Sequence, residues 1–171
     1  MGHSISDDAQ SQIFQHAQAI ARLAGGNLQQ AGHLIGREWE QIVSERLCSM
    51  YGSENVKDVS KQQLRYDFIV LGKKIQCKSR AQKNGGGGNW VKIAPSNGGL
   101  HYAAEDVDFF ALRLNEKEYV FPFSALKKAS QNSPARFKAS AGSFWRDAWQ
   151  IIGQDVDPFA VRPGMLFPGG A

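Results

Sequence analysis

The stretch RYDFIVLGKKIQCKSR, Arg65 to Arg80, decides how the chain is read. Two short runs rich in β-branched and aromatic residues flank a tight Gly72-Lys73 connection, which predicts a β-hairpin. Alternate residues of a strand share a face. Gln76 and Lys78 therefore point one way and Ile75 and Cys77 the other, while Asp67 shares a face with Ile69 and Leu71. Folded about Gly72, the hairpin brings Asp67 towards its Gln76–Lys78 end. A carboxylate, an amide and an ammonium then converge in what otherwise reads as buried sheet, where a charge needs a partner or a metal. One reading is a structural Asp67–Lys78 ion pair. The other is a divalent-cation site for phosphodiester cleavage: Asp67 binds the cation, Gln76 adds an oxygen ligand, and Lys78 steadies the attacking water and the developing phosphorane charge.

Upstream, Asn27 caps a helix that runs to about Met50, with Ile35, Trp39, Ile42, Val43, Leu47 and Met50 as its apolar residues and Gly52 as its stop. An earlier helix is expected from Ser6 to Ala24, opened by Asp7 and Asp8 and closed by Gly25-Gly26. Downstream, NWVKIAP reads as a third strand, and DFFALRL and EYVFPF as a hairpin around Asn115–Lys117. SALKKAS and SFWRDAWQII read as helices, and the Pro/Gly-rich tail as irregular. The order predicts an α/β fold, a mixed β-sheet of about five strands flanked by helices. It does not alternate strand and helix, so a doubly wound sheet is not expected. The GGGG run at 85–88 lacks a phosphate-loop Lys-Ser/Thr and the GxGxxG spacing, and reads as a loop.

The 171 residues, 42% apolar, suit one domain with an added arm. No apolar run reaches the roughly 18 residues of a membrane span, and the N-terminus lacks the basic and apolar regions of a secretory signal. Cys48 and Cys77 read as two buried thiols in a reducing cytoplasm. The scattered His3, His16, His33 and His101 have no zinc spacing. The formal net charge of +4 matters less than its placement. From Phe68 to Ala104 there is no acid, while Lys73, Lys74, Lys78, Arg80, Lys83 and Lys92 fall in that window. A second basic window holds Lys127, Lys128, Arg136, Lys138 and Arg146. Two such windows point to a polyanion, most often nucleic acid.

Asp67 followed by Gln76-Cys77-Lys78 resembles the D-Xn-(E/Q)-X-K signature of the PD-(D/E)XK nuclease superfamily. GREWEQIVSERL, with Gly36, Glu40, Val43 and Leu47, is similar to the helix that precedes that signature, and HYAAEDVDFFALRLNEKEYVFPFSAL resembles the segment that follows it. The resemblance covers about Leu34 to Leu126. It lies near intron-associated homing endonucleases and archaeal Holliday-junction resolvases. It implies a restriction-endonuclease-like fold with the nuclease core at 27–152, a helical extension at 1–26 and a tail at 153–171. It implies a DNA endonuclease that uses Mg²⁺, for which Mn²⁺ substitutes, and that acts as a homodimer or homotetramer. Asp67 is then the central metal ligand, Gln76 takes an acidic ligand's place, the Cys77 carbonyl reaches the metal, and Lys78 is the catalytic lysine. Glu40 is the helix carboxylate that completes the metal shell, with Glu38 as its rival. Lys73, Lys74, Ser79, Arg80, Lys83 and Lys92 would contact DNA. The signature departs from the family in lacking a Pro before Asp67 and in the neutral Gln76. That leaves a resolvase, or a DNA-binding module that has lost turnover, as alternatives to a homing or restriction enzyme.

Overall fold

The structure, a computed structural model, describes residue 19 and residues 28–80, 90–95, 99, 101–114, 117–126, 132, 134–138 and 144–154. Apart from residue 19, which is helical, the expected helix from Ser6 to Ala24 lies outside the described residues, as do the 83–89 loop with Lys83 and the tail beyond Gln154. The described chain runs α1 (Leu28–Tyr51), β1 (Val56–Asp58), β2 (Phe68–Val70), β3 (Lys73–Arg80), β4 (Trp90–Ile93), β5 (Phe109–Leu114), β6 (Lys117–Pro122) and β7 (Ala135–Lys138). It is an α/β fold built on a mixed five-stranded sheet, in the order β1-β2-β3-β5-β6. The β1-β2-β3 meander and the β5-β6 hairpin are antiparallel, and β3 pairs parallel to β5. Among the described residues no helix is long and apolar enough to cross a membrane.

Helix α1 ends at Gly52, whose φ of 85° suits glycine and whose N–H closes the last turn on the Cys48 carbonyl at 3.0 Å. Trp39, Ile42, Val43 and Leu47 are buried as their spacing requires, whereas Ile35 is half-buried and Met50, in the last turn, is exposed. The hairpin is real, but its turn is Leu71-Gly72 and not Gly72-Lys73. Both residues have positive φ, 50° and 81°, and Val70 pairs directly with Lys73. This is a two-residue turn of the kind whose twist matches the flanking strands.

Three expectations are corrected. The NWVKIAP strand does not join the main sheet; as β4 it pairs antiparallel with β7 in a separate two-stranded sheet. The fifth strand of the main sheet is β1, a three-residue segment too short to carry a period. SFWRDAWQII is not an α-helix: Phe144 and Trp145 lie in 3-10 conformation, Arg146 bridges to Tyr119, Asp147 has a φ of 53°, and Trp149–Gly153 coils as a 3-10 turn. The apolar spacing held, since Ala148, Ile151 and Ile152 are buried, but the backbone that would have made helical bonds is engaged elsewhere. Of SALKKAS, only a 3-10 turn at Phe123–Ala125 is described, and 127–130 lie outside the described residues. The cysteines differ, Cys77 being buried and Cys48 half-buried.

Cross-strand register gives the sheet two unlike faces. Ile75, Cys77, Ala111, Arg113, Glu118 and Val120 share the face covered by α1, where the Trp39 indole N–H donates to the Ala111 carbonyl at 3.1 Å. The 149–153 turn is clasped to the same side. Tyr51 donates to the Trp149 carbonyl at 2.6 Å, and the Lys73 ammonium donates to the Ile152 and Gln154 carbonyls at 2.7 and 2.6 Å. Gln76, Lys78, Phe110, Leu112, Tyr119 and Phe121 share the opposite face. An aromatic stack covers that face: Tyr102 stands edge-on to Phe110, Phe110 stacks on Phe121, and Phe121 stacks on Phe137 of β7 with centroids 3.9 Å apart.

Candidate active site

Strand β2 begins at Phe68, so Asp67 lies where the β2–β3 pairing opens. Its backbone stays fastened on both sides: its N–H donates to the Ile75 carbonyl at 2.9 Å, and its carbonyl accepts from Val59 at 2.8 Å. The side chain therefore turns onto β3, where Asp67 Oδ2 accepts from the Cys77 amide at 2.7 Å and from Gln76 Nε2, also at 2.7 Å. The same Gln76 nitrogen donates to the Cys77 carbonyl at 2.9 Å. Asp67 and Gln76 are buried, 9% and 7% exposed. The sequence expectation that these polar groups converge holds for Asp67 and Gln76 by direct hydrogen bond. The Gln76 group that faces Asp67 is its amide nitrogen and not the oxygen expected of a ligand.

Lys78 completes the group on the same face, its Nζ 5.6 Å from the Tyr102 ring centroid. Burial lowers its pKa, against the opposing pull of Asp67, the Cys77 thiol and Glu40. Burial pushes Asp67 upward, and Asp58 adds to this; the Cys77 amide and Lys78 pull the other way. Burial also holds the Cys77 thiol well above its ordinary value, with Asp67 and Glu40 adding to the effect.

Glu40 and Glu38 separate by their surroundings. Burial, then the carboxylates of Asp67 and Asp58, push Glu40 up to about 7, against Arg37 and Lys78. Glu40 thus shares one electrostatic site with Asp67 and Lys78. Glu38 is raised by burial and relieved by Arg113; its Oε2 is buried without a hydrogen-bond partner. The carboxylate within reach of Asp67 is Glu40.

Asp58 escaped the sequence reading because β1 did. Its Oδ1 accepts from the Ser60 amide at 2.9 Å, and the D-x-S spacing of such a turn was the available signal. Arg65 also has a place here. It reaches the His101 carbonyl at 3.2 Å and Asp106 Oδ2 at 3.0 Å, and Asp106 in turn accepts from the Ala103 amide at 2.8 Å. The loop that carries Tyr102 is thereby tied to the segment that carries Asp67 into β2. Asp108 holds the Lys74 amide at 2.8 Å, so Asp106 and Asp108 both serve as loop anchors.

The remaining cations fall apart into groups. Lys73 is engaged on the α1 side, as described above. The Lys74 ammonium donates to the Glu105 carbonyl at 2.6 Å and sits over Tyr66. Ser79 is half-buried, Lys92 is exposed on β4, and nothing is described of the Arg80 side chain.

Among the described residues no three His, Cys, Asp or Glu side chains gather as a metal cage. The donor set that fits a hard cation is mixed: the carboxylates of Asp67 and Glu40, the Cys77 carbonyl and, once its amide turns, the Gln76 oxygen. The Gln76 amide nitrogen now donates to two of these oxygens, Asp67 Oδ2 and the Cys77 carbonyl. Compared with family models, curated proteins and solved structures, the chain matches none.

Proposed function

We propose that the protein is a metal-dependent DNA endonuclease with a restriction-endonuclease-like core. One observation carries the reading: the buried Asp67, held by the Cys77 amide and the Gln76 side chain at the open end of a strand pair, with the half-buried Glu40, whose pKa it raises, and the half-buried Lys78 in electrostatic reach. The helix leading into an antiparallel meander, joined to a parallel strand, supports the same reading.

Asp67, Glu40, the Cys77 carbonyl and the Gln76 oxygen would hold Mg²⁺ or Mn²⁺. The cation, when bound, supplies an activated water and neutralises charge on the phosphoryl oxygens. The chain's own residues do the rest. The Cys77 amide fixes the Asp67 carboxylate. Tyr102 and the Arg65–Asp106 clasp seat the loop beneath Lys78. Lys78 then meets charge developing on the phosphorane in a site where little water screens it. Gln76 must rotate its amide to offer oxygen, and this rotation breaks its bonds to Asp67 and Cys77. That cost favours, as a second reading, a DNA-binding protein of the same fold with weakened turnover.

Two measurements test the proposal together. Calorimetric titration with Mn²⁺ should show heat for the wild type and none for Asp67→Ala. Supercoiled plasmid or a four-way junction incubated with Mn²⁺ should be cut by the wild type, and at least about 100-fold more slowly by Lys78→Ala. Equal rates for the two proteins overturn the mechanism. Mn²⁺ binding without cleavage of either substrate leaves the weakened reading.

A further inference from the structure

The two basic windows of the sequence meet in space at the β4–β7 ribbon. Lys92 belongs to the first and Arg136 to the second, and the register places them directly opposite each other. Both are exposed. The next pair is Trp90 with Lys138, so three of the eight ribbon residues are cationic and none is acidic.

Like charges facing each other across a strand pair cost stability, and a two-stranded ribbon is marginal by itself. This ribbon is held by its other side. Val91, Ile93 and Phe137 are buried, and Phe137 stacks on Phe121 and stands edge-on to Tyr119. The stack continues through Phe110 to Tyr102, the ring beneath Lys78. The ribbon is thus seated on the sheet face that carries Gln76 and Lys78, with its opposed cations turned to solvent.

We propose that the β4–β7 ribbon is a docking surface for the sugar-phosphate backbone of duplex DNA, with Lys92 and Arg136 as two phosphate contacts. The spacing of phosphates along a duplex lets two neighbouring cations be neutralised together, and this removes the repulsion that the free ribbon carries. Contacts of this kind position a duplex and carry no sequence information. The choice of DNA rests on the nuclease reading; the polyanion surface does not.

The experiment reads binding alone, in EDTA, so that it is independent of cleavage. Fluorescence anisotropy with a labelled 20–30 base-pair duplex is followed from low to moderate salt. The double variant Lys92→Gln/Arg136→Gln should raise Kd roughly tenfold and lower the slope of log K against log salt by about 2, one for each lost phosphate contact. The control variant Lys57→Gln/Lys61→Gln, which changes two exposed cations away from the ribbon, should keep wild-type affinity and slope. Equal affinity and slope for the ribbon variant and the wild type overturn the proposal, as does an equal loss in the control. Tighter binding of an RNA duplex of the same sequence overturns the choice of DNA. Failure of the nuclease reading would show separately, as absence of metal-dependent cleavage by a protein that still binds DNA through this ribbon.

Discussion

The sheet buries two carboxylates, Glu118 and Asp67, in opposite company. Glu118, 6% exposed on the α1 face, has a cation and a donor: Arg46 lies 3.3 Å from Oε2, and the Trp149 indole N–H donates to Oε2 at 3.1 Å. The Arg46 guanidinium also lies over the Trp149 ring. Asp67 has an amide and a main-chain N–H as direct partners, and two further carboxylates in electrostatic reach. Burial raises both groups; Arg46 is the first to oppose it at Glu118 and the Cys77 amide, then Lys78, at Asp67, while Asp147 adds to the rise of Glu118 and Asp58 to that of Asp67, with Glu40 raised in turn. A buried acid supplied with cation and donor fastens helix to sheet. A buried acid held by neutral donors, with Asp58 and Glu40 beside Lys78 in electrostatic reach, keeps a charge balance that further positive charge would favour.

Removing each carboxylate should have opposite consequences, and the largest effect on stability falls at Glu118. Glu118→Ala strands the Trp149 N–H and leaves Arg46 without its acid. It should destabilise by about 2–3 kcal/mol in chemical denaturation, the partly exposed Arg46 limiting the loss. A cost equal to that of Asp67→Asn would erase the distinction between the two acids.

Next comes the pH dependence. Glu40 titrates near 7 in the folded protein and near the ordinary 4.5 when unfolded. The folded state therefore holds a proton that the unfolded state has lost, and stability from this group is full below about 4.5 and declines as pH rises through 7. Glu40→Gln cannot ionise. Its melting temperature should gain on the wild type between pH 5 and pH 8, and Mn²⁺ at pH 8 should raise the wild type more than the variant. A melting difference that stays constant across this range would show that Glu40 does not share the Asp67 site.

The smallest effect is at the turn that sets the register of this pair. Leu71 holds a φ of 50° with its side chain exposed. Asn suits that conformation, so Leu71→Asn should stabilise by about 0.5 kcal/mol. A loss of stability there would mean that Leu71 packs against something in solution.

Local pattern was enough for part of this. The 3.6-residue spacing of Trp39, Val43 and Leu47 defined α1, and the period-2 strands either side of Gly72 brought Asp67 opposite Gln76. The resemblance to a helix bearing Gly36, Glu40, Val43 and Leu47 singled out Glu40 over Glu38. The pairing of β4 with β7 was not legible, because it joins segments more than 40 residues apart and leaves no mark in either one. Nothing in the local sequence marks Glu118, since its burial depends on Arg46 and Trp149, which are distant in sequence.

The chain by itself determined which residues alternate, where α1 stops at Gly52, and that an acid, an amide and a lysine share one end of a hairpin. These follow from backbone sterics and side-chain periodicity, which act over a few residues. Tertiary structure alone decided that Gln76 presents nitrogen to Asp67, that Asp67 and Asp58 both press on the Glu40 carboxylate, and that the two basic windows face each other at Lys92 and Arg136. Each depends on how strands remote in sequence are laid side by side, and charge and hydrogen bonding act through space without regard to chain order.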